Sequence, residues 1–442
     1  MSILARASAA LQALLGGFAE QAARDSGVIV RRRKFTALSL ARTFVLGHLY
    51  KPAASDEELA RMAVQCGADV TPQAVERRHT AKLADFLEAL FRRGVRLVVR
   101  ADKALAPVLE RFTAVVLSDS STVELPAALG GRFPGCGGGR GGGAAAVKLQ
   151  AELDLRTGAL EYVGAEPGRA TDGATARQWA GRPAGTLRIA DLGYFNVAVF
   201  AALVRSGSHF LSRLLYGTAV GWGGGAAVDL AAWLGRRAGP LVDEPVRLGA
   251  RERLPGRLLA WRVPPAVAER RRRKMRADVR RKRGGEPCAG RLALCDWTVL
   301  VTSAPPGLLS PAEAAVLYRA RWQVELLFKR WKSQDRVAAL TGSTPERQLV
   351  RLWARLLAAL VRHWLLLAAA WGDAARSLAK ACEAIRPFVG RLAAALDRAA
   401  ALEAVLAELG RVVAKTCRRD KRSRPGTFEL LNDPSRLEFG LN

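Results

Sequence analysis

Apolar residues recur at helical spacing through about the first 95 residues, and the local stop and start signals agree with that period. In "SDEELARMAVQCGADVTPQAVERRHTAKLADFLEALF", Ser55 and Glu58 form a capping box and Gly67 can end the helix they start. Thr71-Pro72 then opens a second helix with Val75, Leu83, Phe86 and Leu90 as its buried stripe, leaving Gln73, Arg77 and Arg78 off it. The outline is that of a helix-turn-helix; two packed helices that touch no DNA would give the same pattern.

Beyond residue 96 or so the period changes. "TAVVLSDSSTVELP" has the β-branched enrichment of a buried strand, and "VKLQAELDLRTGALEYVGAE" reads as two strands joined around Arg156-Thr157-Gly158. A helix near 174–181 is expected before "TLRIADLGYF", a short strand ending at Asp191. "NVAVFAALVRSG" then suits a helix and "SHFLSRLL" another strand, so the order predicts a mixed α/β sheet. The Gly-rich segment 135–143 interrupts the first two strands; it lacks the G-K-[ST] ending of a phosphate-binding loop and reads as a flexible connection.

Residues 215–303 mix Gly- and Pro-rich turns with strand-like pieces and the basic run "ERRRRKMRADVRRKRGG", which suggests a β-rich insertion with a cationic face. "SPAE" marks the next helix, with Ser310 as N-cap, Pro311 at N1 and Glu313 closing the box. Helix formers with Leu and Ala stripes dominate from there to about residue 416. The tail after Cys417 is expected to be poorly ordered in part. The expected segments are a helical 1–95, a core in two parts at 96–214 and 304–340, the insertion 215–303, and a helical 341–442.

Charge changes the picture. Lys and Arg number 69 against 40 Asp and Glu, a net charge of +29, and such an excess favours a polyanion partner through counterion release. The six cysteines, at 66, 136, 288, 295, 382 and 417, form no C-x-x-C and do not pair with the four histidines, which argues against a zinc module and for free thiols in a reducing cytosol. "HWLLLAAAWG" is about half the ~20 residues of a membrane span, and the first 18 residues resemble an amphipathic helix more than a signal peptide. A cytoplasmic, nucleoid-associated protein with no membrane partner is expected.

The segment "YRARWQVELLFKRWK", 318–332, holds five positive charges and one carboxylate, Glu325. On a helix, Tyr318, Arg321, Trp322, Glu325, Lys329 and Lys332 share one face within about 100°, while Ala320, Val324, Leu327, Phe328 and Trp331 take the opposite side. Arg321 to Glu325 and Glu325 to Lys329 are i,i+4 pairs, and ordinary helix pairing would account for them. It would not account for Asp119 and Asp191, two acids placed after the apolar runs "VVLS" and "LRIA", where an α/β sheet presents its chemistry. Three carboxylates brought to one point would repel unless a hard divalent cation, Mg²⁺ or Mn²⁺, relieved them, and a pair of such ions supports phosphoryl transfer.

The spacing Tyr318, two residues, Arg321, three residues, Glu325, six residues, Lys332 resembles the Tyr-Arg-Glu-Lys signature of DDE transposases of the insertion sequence four family. "SDSST" with Asp119, "ADLGYF" with Asp191 and "WTVLVTS" extend the resemblance over about 30–435. It implies an RNase H-like mixed-sheet catalytic core interrupted by a β-rich insertion, between helical N-terminal and C-terminal regions. Asp119, Asp191 and Glu325 would be the catalytic and metal-binding triad. Tyr318, Arg321 and Lys332 would hold the transposon-end strand, with Trp322 and Lys329 beside them and Trp297 capping a flipped base. The implied activity is cut-and-paste transposition by Mg²⁺-dependent nicking and strand transfer, with Mn²⁺ substituting, on double-stranded DNA bearing terminal inverted repeats, by a homodimer on paired ends. A catalytically inactive DNA-binding derivative and an RNase H-like nuclease without strand transfer are the alternatives.

Overall fold

The computed structural model describes residues 1–29, 34–137, 143–223, 225–340, 343–420 and 424–437. The basic residues 31–33 and the centre of the Gly-rich segment, 138–142, lie outside them. The chain folds as two compact units, neither contiguous: Met1–Leu105, Asp119–Ala170 and Gln323–Ser423 form the first, and Ala106–Ser118, Thr171–Trp322 and Arg424–Asn442 the second.

In the first unit, the helices Ile3–Leu15, Ala37–Tyr50 and Ala81–Gly94 pack on the 25-residue helix Pro345–Ala369. That last helix is apolar almost all round, with Trp353 and Trp364 fully buried, which is the pattern of a core helix. By length and composition it could cross a membrane, yet 94% of its most apolar window is buried in the protein. Ser55 and Glu58 form the expected box, Glu58 Oε2 accepting from the Ser55 N–H at 2.9 Å, and Gly67 takes the left-handed φ of +81° that ends the helix Asp56–Gln65. The second expected helix is in fact two. Pro72–Glu76 stops after five residues, and Ala81–Gly94 starts afresh because the Thr80 hydroxyl caps it, accepting from the Leu83 N–H. Val75, Leu83, Phe86 and Leu90 are all buried, so the stripe was right although the break was not foreseen.

The strand β1 (Ala114–Leu125) gives residues 119–125 to this unit. β2 (Ala145–Asp154) and β3 (Leu160–Pro167) form an antiparallel hairpin with Gln150 opposite Gly164. The turn between them closes where expected: the Asp154 carboxylate accepts from the Arg156 and Thr157 N–H groups and the Thr157 hydroxyl, and Gly158 has φ of +71°. A Cβ at Gly158 would come within 2.5 Å of Trp371, so the position excludes a side chain twice over.

In the second unit Ala114–Ser118 of β1 pairs in parallel with β4 (Thr186–Ala190), and β4 in parallel with β5 (His209–Arg213). β6 (Val220–Gly221), β7 (Leu241–Leu248), β8 (Leu254–Arg262) and β9 (Trp297–Thr302) follow, and the order across this unit is β1-β4-β5-β9-β8-β7-β6. Among the described residues most strand pairings are antiparallel and two are parallel, so the mixed α/β expectation holds. The insertion strands extend the sheet, β9 bonding to both β5 and β8.

Two expectations differ from the structure. Residues near 174–181 form two 3₁₀ turns, Asp172–Ala174 and Ala176–Trp179, not a helix. The basic run is no β surface but a 19-residue helix, Pro265–Arg283, with Pro265 at N1 and Gly284 closing it at φ of +66°. Arg and Lys are good helix formers, and the alternating strand signal was never present in it. In the tail, the described residues form the helix Thr427–Asn432, whose Phe428, Leu430 and Leu431 are buried and which packs on the helices Pro311–Ala320 and Pro107–Glu110; residues 421–423 and 438–442 of that stretch lie outside the described residues.

Candidate active site

Asp191 directly follows β4, and its backbone carbonyl accepts from the Tyr194 N–H at 3.0 Å to start the turn Leu192–Tyr194. The apolar strand buries every residue up to Ala190 and releases the carboxylate into a half-buried position. Asp119 is not at a strand end as the sequence suggested: β1 continues to Leu125. What ends there is the ladder with β4, whose last partners are Ser118 and Ala190. The next residue along each strand is an aspartate. Asp119 Oδ1 also accepts from the Ser120 N–H at 2.9 Å, which turns that oxygen back toward the backbone.

Glu325 stands in the first turn of the helix Trp322–Ser333, where the positive end of the helix dipole favours an acid. Val324, Leu327, Phe328 and Trp331 are buried, as is Ala320, so the two-sided pattern of this segment holds. The segment is nevertheless not one helix. Pro311–Ala320 ends before Arg321, and the second helix begins at Trp322, although Arg321 keeps right-handed dihedrals of −47° and −33°. No Pro or Gly marks the junction, which is why periodicity ran across it.

Lys332, exposed at the far end of the second helix, donates from Nζ to the Thr122 carbonyl of β1 at 3.1 Å. Lys329 is exposed on the preceding turn, and Trp322 is 54% exposed at the helix start. An accessible indole and two ammonium groups on a helix suit a phosphodiester strand.

Within the second unit, Tyr318 is largely buried and its hydroxyl meets no partner at ordinary hydrogen-bond geometry. Burial pushes its pKa up; the positive charges of Arg213 and Arg321 pull the other way, and Asp191 adds to the rise. Tyr318, Arg321 and Asp191 are thus electrostatic neighbours. Arg213, at the end of β5, joins them and was missed. Only the parallel register of β4 and β5 brings it in, and no local pattern encodes that.

Trp297 lies elsewhere in character. It is 4% exposed, inside the apolar cluster of β5 to β9, with the Arg262 guanidinium 4.5 Å over its ring. In this conformation it is a core side chain with one face already taken, not an open platform for a base.

Asp119 and Glu325 belong to the first unit and Asp191 to the second. Within either unit, among the described residues, no three His, Cys, Asp or Glu side chains stand together as a metal cluster. All six cysteines are free. Each of the three acids offers carboxylate oxygens only, donors that suit a hard divalent cation and not a thiophilic ion.

Comparison with known protein families matches residues 110–361 to the transposase DDE domain, a span that contains all three acids and the whole 318–332 segment. The chain belongs to the DDE transposase family. It is 26% identical over 370 residues to the transposase for insertion sequence element IS231B of Bacillus thuringiensis subsp. berliner, covering 78% of this chain and 76% of that one. The transposase for insertion sequence element IS1151 of Clostridium perfringens is 24% identical over 366 residues, 77% of this chain and 76% of its own. A shorter match, 38% over 105 residues, joins it to the putative transposase InsL for insertion sequence element IS186A of Escherichia coli (strain K12), 24% of this DDE transposase and 28% of that chain.

Proposed function

We propose that this transposase is of the insertion sequence four type, with an RNase H-like core, and moves its element by cut and paste on terminal inverted repeats. The observation that carries this reading is the β1–β4 register: Ser118 and Ala190 are the last parallel partners, and Asp119 and Asp191 come next. An aspartate thus follows each of two apolar strand stretches in the sequence, and a pair of carboxylates is what a metal-dependent phosphoryl transferase requires. Glu325, on the helix that Lys332 ties back to β1, supplies the third.

Asp119, Asp191 and Glu325 would hold Mg²⁺ or Mn²⁺. When bound, such ions activate water or a 3′-hydroxyl and stabilise the leaving oxygen. Lys332 and Lys329 neutralise the phosphodiester and hold the strand in line. Arg321 and Arg213 flank Tyr318, so the positive charge there favours a backbone phosphate beside the phenol. Trp322 offers an exposed ring for a terminal base. A homodimer on paired ends, acting on DNA in the cytoplasm, completes the reading; the helical C-terminal region supplies its contacts.

The test is incubation of the purified protein with its own element's end sequences and a target plasmid in Mg²⁺ or Mn²⁺. Nicks at the element ends followed by joined products are expected. Nicks without joining would make it a nuclease, and binding with no nick in either metal would make it an inactive derivative.

A further inference from the structure

We propose that the outward face of the helix Pro265–Arg283 is a sequence-independent contact for the phosphate backbone of duplex DNA, additional to the signature segment. The inference rests on the reading of the chain as a DNA-acting transposase and extends it to a surface that the signature does not include. Its 19 residues carry ten arginines and lysines against two acids.

One side of this helix is committed to the fold. Val267 and Ala268 pack with Val263, Arg271 donates to the Trp297 carbonyl at 3.1 Å and to the Thr298 hydroxyl at 3.0 Å, and Arg272 pairs with Asp296. The other side is different. Arg273, Lys274, Arg280 and Arg281 are all exposed, and at 100° per residue they fall within an arc of about 120° with only Ala277 between the two pairs.

The neighbouring acids are already engaged. Glu269 lies against Arg272 and Arg276, Asp278 against Arg281, and Glu286 against Arg280. Arg273 and Lys274 have no acidic partner among the described residues. Like charges one turn apart oppose helix formation, so this face gains from a polyanion that the protein itself does not provide. From Arg273 to Arg281 the helix rises about 12 Å, close to the width of the major groove, so the two ends of the stripe can reach the backbones on either side of it.

The experiment uses the full chain in EDTA, a labelled duplex of scrambled sequence, and anisotropy titrations from about 50 to 200 mM salt. For R273A/K274A/R281A the slope of log affinity against log salt should be shallower than wild type by about 2 to 3, at roughly 0.9 per phosphate contact. R273K/K274R/R281K should restore the wild-type slope, since each charge stays in place. K103A/R169A/R205A, which removes three other exposed bases, should not change it. An unchanged slope in the first variant, or an equal loss in the K103A control, overturns the inference while leaving the transposase reading intact. Wild-type protein that binds no duplex at all would instead remove the DNA-acting reading, and this inference with it.

Discussion

Lys332 Nζ donates to the Thr122 carbonyl at 3.1 Å, three positions past Asp119 on the same strand. The last base of the signature therefore anchors the helix of Glu325 to the strand of Asp119. An exposed bond of this kind adds about 1 kcal/mol or less to stability. If the ammonium also holds the scissile phosphate, its removal costs far more in rate than in stability. Lys332→Ala should leave the urea midpoint nearly unchanged and lower single-turnover cleavage by about 10²-fold, the scale of losing one donor to developing charge. Cleavage within twofold of wild type would restrict Lys332 to a structural role.

The three acids give a second prediction. Asp119→Asn, Asp191→Asn and Glu325→Gln keep shape and remove charge, so each should abolish nicking while end-DNA binding stays or strengthens, since each variant loses a charge that repels phosphate. EDTA should do the same to wild type. Gel-shift and nicking assays on one preparation separate the two effects. Full nicking by any one variant takes that residue out of the triad.

What was legible in the sequence was local. Ser55 with Glu58, Ser310 with Glu313, and the Asp154 to Gly158 turn are each written within three to five residues, and each forms as read. The apolar runs before Asp119 and Asp191 are strands for the same reason. What failed was either unmarked or non-local. The breaks at Arg321 and between Glu76 and Ala81 carry no Pro or Gly, and the stripe of buried residues stays in phase across them. The helix Pro265–Arg283 has too few apolar residues for any period to appear, so only its propensity could have named it. Arg213 joins Tyr318 through strand register, and the face of Trp297 is covered by Arg262 from a neighbouring strand; pairing partners of that kind are not encoded beside either residue.

Two buried histidines make stability depend on pH. His363 donates from Nε2 to the Gly158 carbonyl at 2.8 Å, so Nε2 carries the proton of a neutral ring. Burial lowers its pKa to about 4, helped by Arg330, and burial with Arg355 lowers that of His48 to about 3. Unfolded, both return to about 6.5. A depressed folded value means the stabilising contribution is complete above the unfolded pKa and is lost as pH falls through 6.5 toward 4 and 3. At pH 5 the two together should lose about 4 kcal/mol relative to pH 7.5. Urea midpoints across that range measure it, and His363→Gln should flatten part of the slope. A midpoint constant from pH 7.5 to 5 would contradict the neutral, buried state of both rings.

Asp335 follows the signature helix by two residues and meets Arg362 at 2.7 Å, both nearly inaccessible to solvent. Arg362 also donates to the Leu49 carbonyl at 2.9 Å and the Cys382 carbonyl at 3.2 Å, so one guanidinium fixes the end of that helix to three other segments of the first unit. Removing one partner strands a buried charge, whereas removing both leaves only a packing defect. Arg362→Met alone should therefore cost about 3–5 kcal/mol in urea unfolding, and Asp335→Leu with Arg362→Met should recover much of that loss. Because Lys332 lies one turn from Asp335, the single variant should also lower cleavage below the temperature at which it unfolds, and the double variant should regain stability more completely than rate. Equal recovery of both would mean that the ion pair holds the fold without setting the position of Lys332.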